Sequence, residues 1–443
     1  MDRHEKMTSD KDTAHVFRWQ AVDPDRLFRH SLIVFFFTHA ASAVNLVFQI
    51  IMGWKLSVAE FGILSSMLNL IMMIATPMAA IQNTLAHFTG NFIKEGKTGN
   101  IRILTRQWTI RILLVSIPLL ILLVVLRDPL SSFFHLASPW PLLLVGIALF
   151  ILVLSPVFSG VLQGMQAFTL MVFPGLAGSI VRLALGGILV FIVAPKAFAG
   201  LSAQVAGILC FTALVYFFYR RRIPQSGQTD AAPERSDKYF WASLAALFSF
   251  SILMNMDVVM VKHYFSDPAD YGNYARASKI AGTLVFLIQP IAGAMFPKVV
   301  SRGNSTHEQK FTLFRSLGLS GLIIGGAVLL CTLFPQIPLL ILYRDHAPTA
   351  DMIMLVRLVC WAMAPLGLVF ILMNFELAQH RLACVIPLAL CAVAFVGGVA
   401  LFHNSLWQVV SVFLVVSLLS LILMIGIITL NSRGNASYEY KKD

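Results

Sequence analysis

The feature that most constrains this chain is a succession of about twelve apolar stretches, each about 20 residues long, with one charged segment near the midpoint. Apolar residues make up 58% of the 443 residues, and charged residues only 12%. A soluble domain cannot bury so large an apolar share, whereas a bilayer core takes about 20 apolar residues for each helical crossing. The composition therefore predicts a membrane protein that crosses the bilayer many times.

The apolar stretches predict membrane-spanning helices, because lipid offers the backbone no hydrogen-bond partners. A β-barrel would need short alternating segments, which this sequence lacks. The predicted helices of the first half are 31–53, 61–87, 109–126, 139–159, 169–194 and 199–219. Those of the second half are 239–262, 276–298, 312–334, 351–375, 383–402 and 407–430. The predicted fold class is an all-α membrane protein with about twelve transmembrane helices.

The distribution of Lys and Arg predicts the orientation of the chain in the membrane. Most of the 33 Lys and Arg residues fall in the tail 1–30 and in the segments 94–111, 220–238 and 298–315. These segments share one side of the membrane, and basic loops remain cytoplasmic. We therefore expect both termini in the cytoplasm. The net charge of +12 is explained by this topology and by contact with anionic headgroups, so no nucleic-acid partner is expected.

An internal repeat divides the chain into two halves. Residues 59–62 read Ala-Glu-Phe-Gly and residues 269–272 read Ala-Asp-Tyr-Gly; at the same offset Asn45 matches Asn255. Six crossings return the chain to its starting side, so the repeats are parallel and enclose a central cavity between two lobes. The predicted divisions are a tail 1–30, a six-helix lobe 31–219, a linker 220–238, a six-helix lobe 239–430 and a tail 431–443.

The sequence contains no motif typical of an enzyme. It has neither a phosphate-binding Gly-x-x-x-x-Gly-Lys-Ser/Thr loop nor a His-Glu-x-x-His pair. Its five cysteines fall within predicted helices and lack metal-ligand spacing, so neither a metal nor another cofactor is expected. The function classes that remain are a secondary transporter, a flippase and a channel.

Charged residues inside the predicted helices are the main candidates for a binding site. Such charges are costly in lipid and usually face a cavity. Four are basic, namely Arg182, Arg276, Lys279 and Arg357, and the clearest acidic one is Asp257. One acid cannot neutralise four bases, so the surplus favours an anionic substrate. Arginine suits a pyrophosphate because its planar fork binds two oxygens at once, and Arg182 is the first candidate.

Asp257 has two interpretations that the sequence leaves open. It forms an internal salt bridge with Lys279 or Arg357, or it binds the proton or sodium ion that couples transport to a gradient.

Three uncharged or weakly basic side chains are further candidates for lining the transport path. They are His39 and Asn45 in the first helix and Gln289 in the eighth. The alternative is that each only forms hydrogen bonds between helices, as single polar groups in membrane helices often do.

Four short motifs resemble those of polysaccharide-biosynthesis flippases. They are Leu-Ser-x-x-x-Phe-Gly at 56–62, Gly-x-Leu-Gln-Gly-x-Gln-x-Phe at 160–168, Asp-Tyr-Gly-x-Tyr-x-x-Ala at 270–277 and Met-Phe-Pro-Lys at 295–298. The chain thus resembles the O-antigen-type, lipid-linked oligosaccharide flippases of the multidrug/oligosaccharidyl-lipid/polysaccharide exporter superfamily. It departs from the lipid II flippase branch, which carries two more helices.

This resemblance implies two lobes in a V shape that work by alternating access. The implied substrate is an oligosaccharide linked to undecaprenyl pyrophosphate, moved across the cytoplasmic (inner) membrane of a prokaryote, with glycosyltransferases or a glycan polymerase as partners. Two alternatives remain: a cation-coupled multidrug antiporter of the same superfamily, and a membrane scaffold for glycan assembly that transports nothing. The first alternative would favour an acid in the first helix, where this chain has His39 instead.

Overall fold

The computed structural model describes residues 24–223, 237–300, 306–379 and 381–439, and all regular structure in these ranges is helical. The first half contains α1 (Pro24–Lys55), α2 (Val58–Ala75), α3 (Ala79–Lys94), α4 (Gly99–Val125), α5 (Arg127–Phe133), α6 (Trp140–Leu152), α7 (Ser155–Gly164), α8 (Phe168–Ile188), a π-helical extension (Leu189–Val193) and α9 (Ala197–Arg222). The second half contains α10 (Asp237–Tyr264), α11 (Pro268–Val300), α12 (Thr306–Leu333), α13 (Gln336–Tyr343), α14 (Ala350–Ala378), α15 (Val385–Leu401) and α16 (Leu406–Glu439).

Every predicted membrane helix coincides with a helix or a helix pair of the structure. Within the described ranges, 10 helical segments are long and apolar enough to cross a bilayer. The two other predicted crossings correspond to α11 and to α15, an apolar helix of 17 residues. The prediction of an all-α, multi-pass membrane protein is therefore confirmed.

Two of the predicted crossings are interrupted at prolines. The break between α2 and α3 surrounds Pro77, and the break between α6 and α7 precedes Pro156. A proline removes one backbone hydrogen bond and clashes with the carbonyl four residues earlier. At the second break, the Ser155 hydroxyl donates to the freed Leu152 carbonyl at 2.8 Å. The Ser155 hydroxyl thus gives a hydrogen bond to a carbonyl that would otherwise be unpaired in lipid.

The helices pack into two groups that follow the chain order. In the first group, α8 packs on α1 and α9. Helices α3 and α4 pack on α7, and helices α2 and α6 pack on α9. In the second, α14 is central and packs on α11, α12 and α16, while α15 packs on α10 and α16. The boundaries predicted for the two lobes stay a prediction, and residues 224–236 of the predicted linker lie outside the described ranges. We call these groups the first lobe (α1–α9) and the second lobe (α10–α16).

The lobes meet along α2 and α3 of the first lobe and α10 and α11 of the second. Where α2 and α11 begin, Gly62 lies against Tyr271 and Gly272 lies against Val58, with no room for a side chain on either glycine. These glycines close the two repeated motifs found in the sequence. The repeat therefore marks the place where the equivalent helices of the two lobes cross in close contact.

Further contacts join the lobes at the ends that the charge pattern predicts to be outside. The Trp54 indole donates to the Ile341 carbonyl at 2.9 Å, and the Arg344 guanidinium lies 4.0 Å from the centre of the Trp54 ring system. The His263 ring donates to the Phe133 carbonyl at 2.7 Å and stacks on the Phe133 ring. We call this set of contacts, together with the Gly62 and Gly272 crossing, the outer closure.

Candidate functional site

Arg182 lies on α8 between α1 and α9 of the first lobe and is 9% exposed. Its Nη1 donates to Asn45 Oδ1 at 3.2 Å, and its guanidinium lies 3.9 Å from the centre of the Phe48 ring. The close approach of α9 depends on Gly207, where a side chain would collide with the Arg182 Cβ. Small residues at the contacts thus let the helices enclose a long basic side chain.

Asn45 on α1 connects two residues of α8. Its Oδ1 accepts from Arg182, while its Nδ2 donates to Ser179 Oγ at 3.2 Å. The Ser179 hydroxyl in turn donates to the Gly175 carbonyl at 2.8 Å. Because arginine offers only donors, the amide oxygen of Asn45 must face it, so these contacts define the orientation of the amide. The structure therefore brings together Asn45 and Arg182, which are far apart in sequence.

Lys279 on α11 of the second lobe lies within electrostatic range of both Arg182 and Asp257. The two cations thus come from different lobes and repel each other across the boundary between them. Asp257 on α10 is fully buried, and the Ser278 hydroxyl donates to its Oδ2 at 2.6 Å. The Tyr274 hydroxyl is a second neighbour of this carboxylate.

The salt bridge considered for Asp257 is not formed as a direct contact. Across the described ranges, no lysine or arginine nitrogen makes an ion pair with this carboxylate. Arg357 does not pair with Asp257, because its guanidinium binds the Thr332 carbonyl. Lys279 interacts with Asp257 electrostatically, without a direct ion pair. The direct polar contact of this carboxylate is the Ser278 hydroxyl.

Arg357 on α14 is placed at the end of α12. Its Nε donates to the Thr332 carbonyl at 2.9 Å, and the Trp361 indole donates to the Thr332 hydroxyl at 3.1 Å. The last four carbonyls of a helix have no partner within the helix, and a cation there also offsets the helix dipole. Arg357 therefore caps α12 and does not join Arg182.

Arg276 lies next to the outer closure, and its contacts are made within the second lobe. Its guanidinium lies 5.1 Å from the centre of the Tyr343 ring and within electrostatic range of Asp345. Its backbone carbonyl accepts from the Tyr343 hydroxyl at 3.2 Å. This position is one helical turn from Lys279, towards the predicted outer end of α11.

His39 and Gln289 both lie on exposed helix surfaces nearer the predicted inner ends of α1 and α11. The His39 ring bonds with the Phe35 carbonyl at 2.8 Å and stacks on the Phe35 ring, so its contacts are local. Neither side chain joins the residues around Arg182.

The structure thus assembles four of the eight residues that the sequence singled out. We call Asn45, Arg182, Asp257 and Lys279 the cationic site, because Arg182 of the first lobe and Lys279 of the second lobe lie within electrostatic range of each other, and Asp257 is the acid beside Lys279. Arg276, Arg357, His39 and Gln289 lie elsewhere. Sequence reasoning missed the supporting residues Phe48, Ser179, Tyr274 and Ser278. The spacing of Ser179 three residues before Arg182, on the same helix face, was an available signal.

The chemistry of the two bases of the cationic site suits an anion. The guanidinium presents planar donors, and the ammonium presents three rotatable ones. Among the described residues, no group of three or more His, Cys, Asp or Glu side chains could hold a metal ion.

Comparison with protein families identifies a family to which the chain belongs. The sequence matches the model of a family described as polysaccharide biosynthesis protein over residues 92–346, which is more than half of the chain. No curated protein gives a significant sequence match.

Solved structures of similar fold belong to the MOP superfamily of transporters. An inward-facing MATE family multidrug transporter gives a TM-score of 0.72 at 14% identity, covering 90% of this chain and 96% of that chain. An outward-facing transporter of the same kind gives 0.65 at 14% identity, covering 94% and 97%. A MOP superfamily transporter from Pyrococcus furiosus, described as having a binding pocket of reverse polarity, gives 0.64 at 13% identity, covering 90% and 95%. At these identities the likeness establishes the fold alone, which is that of MATE-type transporters of the MOP superfamily.

Proposed function

Because the chain belongs to the polysaccharide biosynthesis protein family and has the fold of MOP superfamily exporters, we propose that it is a flippase for a lipid-linked oligosaccharide. The substrate is an oligosaccharide joined to a polyprenyl pyrophosphate, moved across the cytoplasmic membrane of a prokaryote by alternating access. Glycosyltransferases that build this lipid on the cytoplasmic side, and a polymerase that consumes it outside, are the partners that the proposal requires.

The cationic site is the observation that carries this proposal. Arg182 is buried within a membrane-spanning helix, where an arginine costs about 2.5–3.5 kcal/mol. Lys279 of the other lobe lies within electrostatic range of it, so the two bases repel each other, and the one acid beside Lys279 offsets only part of their charge. A pyrophosphate linkage bears two negative charges and can contact both lobes at once, which turns this repulsion into attraction.

Exposed apolar side chains on two helices of the site support a lipid-linked substrate. Phe36 on α1 is 63% exposed, and Phe286 on α11 is 62% exposed. These helices carry Asn45 and Lys279 of the cationic site further along their length. On our proposal, the polyprenyl chain remains along this apolar surface while the charged linkage occupies the site.

The outer closure supports a state that loads substrate from the cytoplasmic leaflet. All of its contacts lie at helix ends that the Lys and Arg distribution predicts to be outside, so the first lobe and the second lobe are joined there. Transport on this proposal requires the outer closure to separate after the anion has bound.

The site disfavours the alternative of a cation-coupled multidrug antiporter. The neighbours named above include MATE multidrug transporters, but they establish only the fold. A cationic drug in this chain would approach Arg182 and Lys279, which repel it. An assay of drug resistance in cells with and without the protein separates the two functions.

The first experiment is Arg182→Ala in cells that depend on this protein for glycan export. Loss of a hydrogen bond to a charged group costs about 1.5–3 kcal/mol, so binding should weaken by roughly tenfold or more, and export should fall. Arg182→Lys should restore export only in part, because the planar fork is lost. The readouts are surface glycan and the lipid-linked intermediate that accumulates in the cells.

Arg127→Ala is the matched control, because Arg127 is an exposed arginine at the start of α5 that pairs with the neighbouring Asp128. It should export normally. Normal export by an Arg182→Ala protein at normal membrane abundance would show that the cationic site does not bind the substrate.

A further inference from the structure

The partner of Arg182 carries no charge, which is unusual for a buried guanidinium. Buried charges are normally paired with an opposite charge, because an unpaired one loses its hydration without compensation. In the part of the chain that the structure describes, Arg182 makes no ion pair. Its contacts are the neutral amide oxygen of Asn45 and the face of the Phe48 ring, which is itself fully buried.

Packing does not require an amide at position 45. Asparagine and aspartate have nearly the same shape, and an aspartate could accept from both Arg182 and the Ser179 hydroxyl. The Ser179 hydroxyl now donates to the Gly175 carbonyl and would only need to rotate. The two residue types therefore differ mainly in charge. An aspartate would neutralise the guanidinium, whereas asparagine orients it and leaves its charge available to a ligand.

The equivalent residue of the second lobe is used differently. Asn255 matches Asn45 in the repeat, but its amide donates to Ser251 on its own helix, and its backbone carbonyl accepts from Asn69 of the first lobe. The acid of the second lobe is Asp257, which lies within electrostatic range of Lys279. The second lobe thus balances its base with an acid, whereas the first lobe does not.

We propose that Asn45 is the specificity-determining residue of the first lobe. Its amide holds Arg182 in position without neutralising it, and this makes the first lobe selective for anions. The inference rests on the proposed function and narrows it, because it assigns the selectivity for a pyrophosphate to the absence of charge at one position. Asn45 is accordingly a positioning residue that acts through Arg182.

The test is Asn45→Asp in the purified full-length protein, with binding of farnesyl pyrophosphate measured by calorimetry and stability measured by thermal unfolding. Asn45→Asp should bind the ligand at least tenfold more weakly, while its Tm stays equal to or above that of the wild type. If Asn45 had only a structural role, the affinity for farnesyl pyrophosphate would stay the same in Asn45→Asp, and only the Tm would change.

Asn404→Asp is the matched control, since it adds the same charge at an exposed position between α15 and α16. It should leave affinity unchanged. Ser179→Asp is a second variant in case Asn45→Asp does not fold, because it places a carboxylate one turn from Arg182 on the same helix face. It should also weaken binding at least tenfold.

Wild-type affinity in a folded Asn45→Asp protein, or in Ser179→Asp if only that variant folds, overturns the inference. If Arg182→Ala still abolishes binding, the proposed function stands and only the role of Asn45 is lost. If Arg182→Ala binds farnesyl pyrophosphate normally, the proposed function itself fails, whatever the result at position 45.

Discussion

At the scale of residues, the two bases of the cationic site differ in what surrounds them. Arg182 is held by a neutral amide and an aromatic ring, whereas Lys279 shares its surroundings with the carboxylate of Asp257. Asp257 in turn is held by a hydroxyl of Ser278 rather than by a direct ion pair. Removing this carboxylate therefore breaks no direct ion pair, and a substitution at position 257 should leave the protein folded.

Asp257→Asn should give a folded protein, because the amide oxygen can still accept from the Ser278 hydroxyl. Removing the carboxylate leaves Lys279 without its opposing charge, so farnesyl pyrophosphate should bind several-fold more tightly. If Asp257 binds the coupling ion, transport should also stop responding to a proton or sodium gradient. Calorimetry and transport in vesicles with imposed gradients measure the two effects. A protein that unfolds on this change would indicate that Asp257 is mainly structural.

At the scale of elements, the crossing of α2 and α11 is a close contact between the lobes. Gly62 and Gly272 come from the two copies of the repeated motif, and each lies against the partner helix. Without a Cβ, two helix backbones approach closely, and dispersion contacts stabilise the crossing. The stability of the outer closure therefore depends on the absence of a Cβ atom at Gly62 and at Gly272.

Gly62→Val should weaken the outer closure, because the added side chain would collide with the Tyr271 ring. Cysteines at positions 55 and 341 report on it, since Lys55 adjoins Trp54, whose indole contacts the Ile341 backbone in the closed state. A short bifunctional maleimide should cross-link these cysteines efficiently in the parent protein and several-fold less in the Gly62→Val protein. Gly426→Val is the control, because no atom lies within 4 Å of a side chain added there. Equal cross-linking in all three proteins would contradict this account.

At the scale of the whole molecule, the chain forms two lobes whose helices follow the sequence order. The lobes contact each other along α2, α3, α10 and α11, and the cationic site takes residues from both. In the proposed mechanism, an anion bound there contacts both lobes, and alternating access requires the lobes to move relative to one another. This arrangement couples binding to the separation of the outer closure in the proposed mechanism.

The predicted topology is tested by labelling single cysteines with a membrane-impermeant maleimide in intact cells. Residues introduced in the loops near 128–138 and 335–350 should react from outside. Those in 88–108, 220–238 and the C-terminal tail should react only after the cells are opened, because these segments belong to the basic side. Labelling of the 220–238 segment from outside would reverse the orientation and the direction of transport.

The sequence by itself determined the features that depend on local composition. Each membrane helix follows from a run of apolar residues long enough to cross a bilayer. Lipid offers the backbone no hydrogen-bond partners, so the backbone hydrogen bonds form within each segment. The breaks near Pro77 and Pro156 follow from the covalent structure of proline, although only the structure decided which prolines interrupt a helix, since Pro118, Pro174 and Pro365 lie within continuous ones.

Only the tertiary structure decided which polar residues meet. Arg182, Arg276, Lys279 and Arg357 look alike in sequence, each a base within or near an apolar run. Their partners depend on how each helix is rotated and how closely its neighbours approach, and this depends on small residues on other helices, such as Gly207 beside Arg182. In the folded protein Arg357 contacts the end of α12, Arg276 contacts Tyr343, and Arg182 contacts Asn45. Hydropathy fixes how deep a residue lies, but it carries no information on which neighbour its side chain will face.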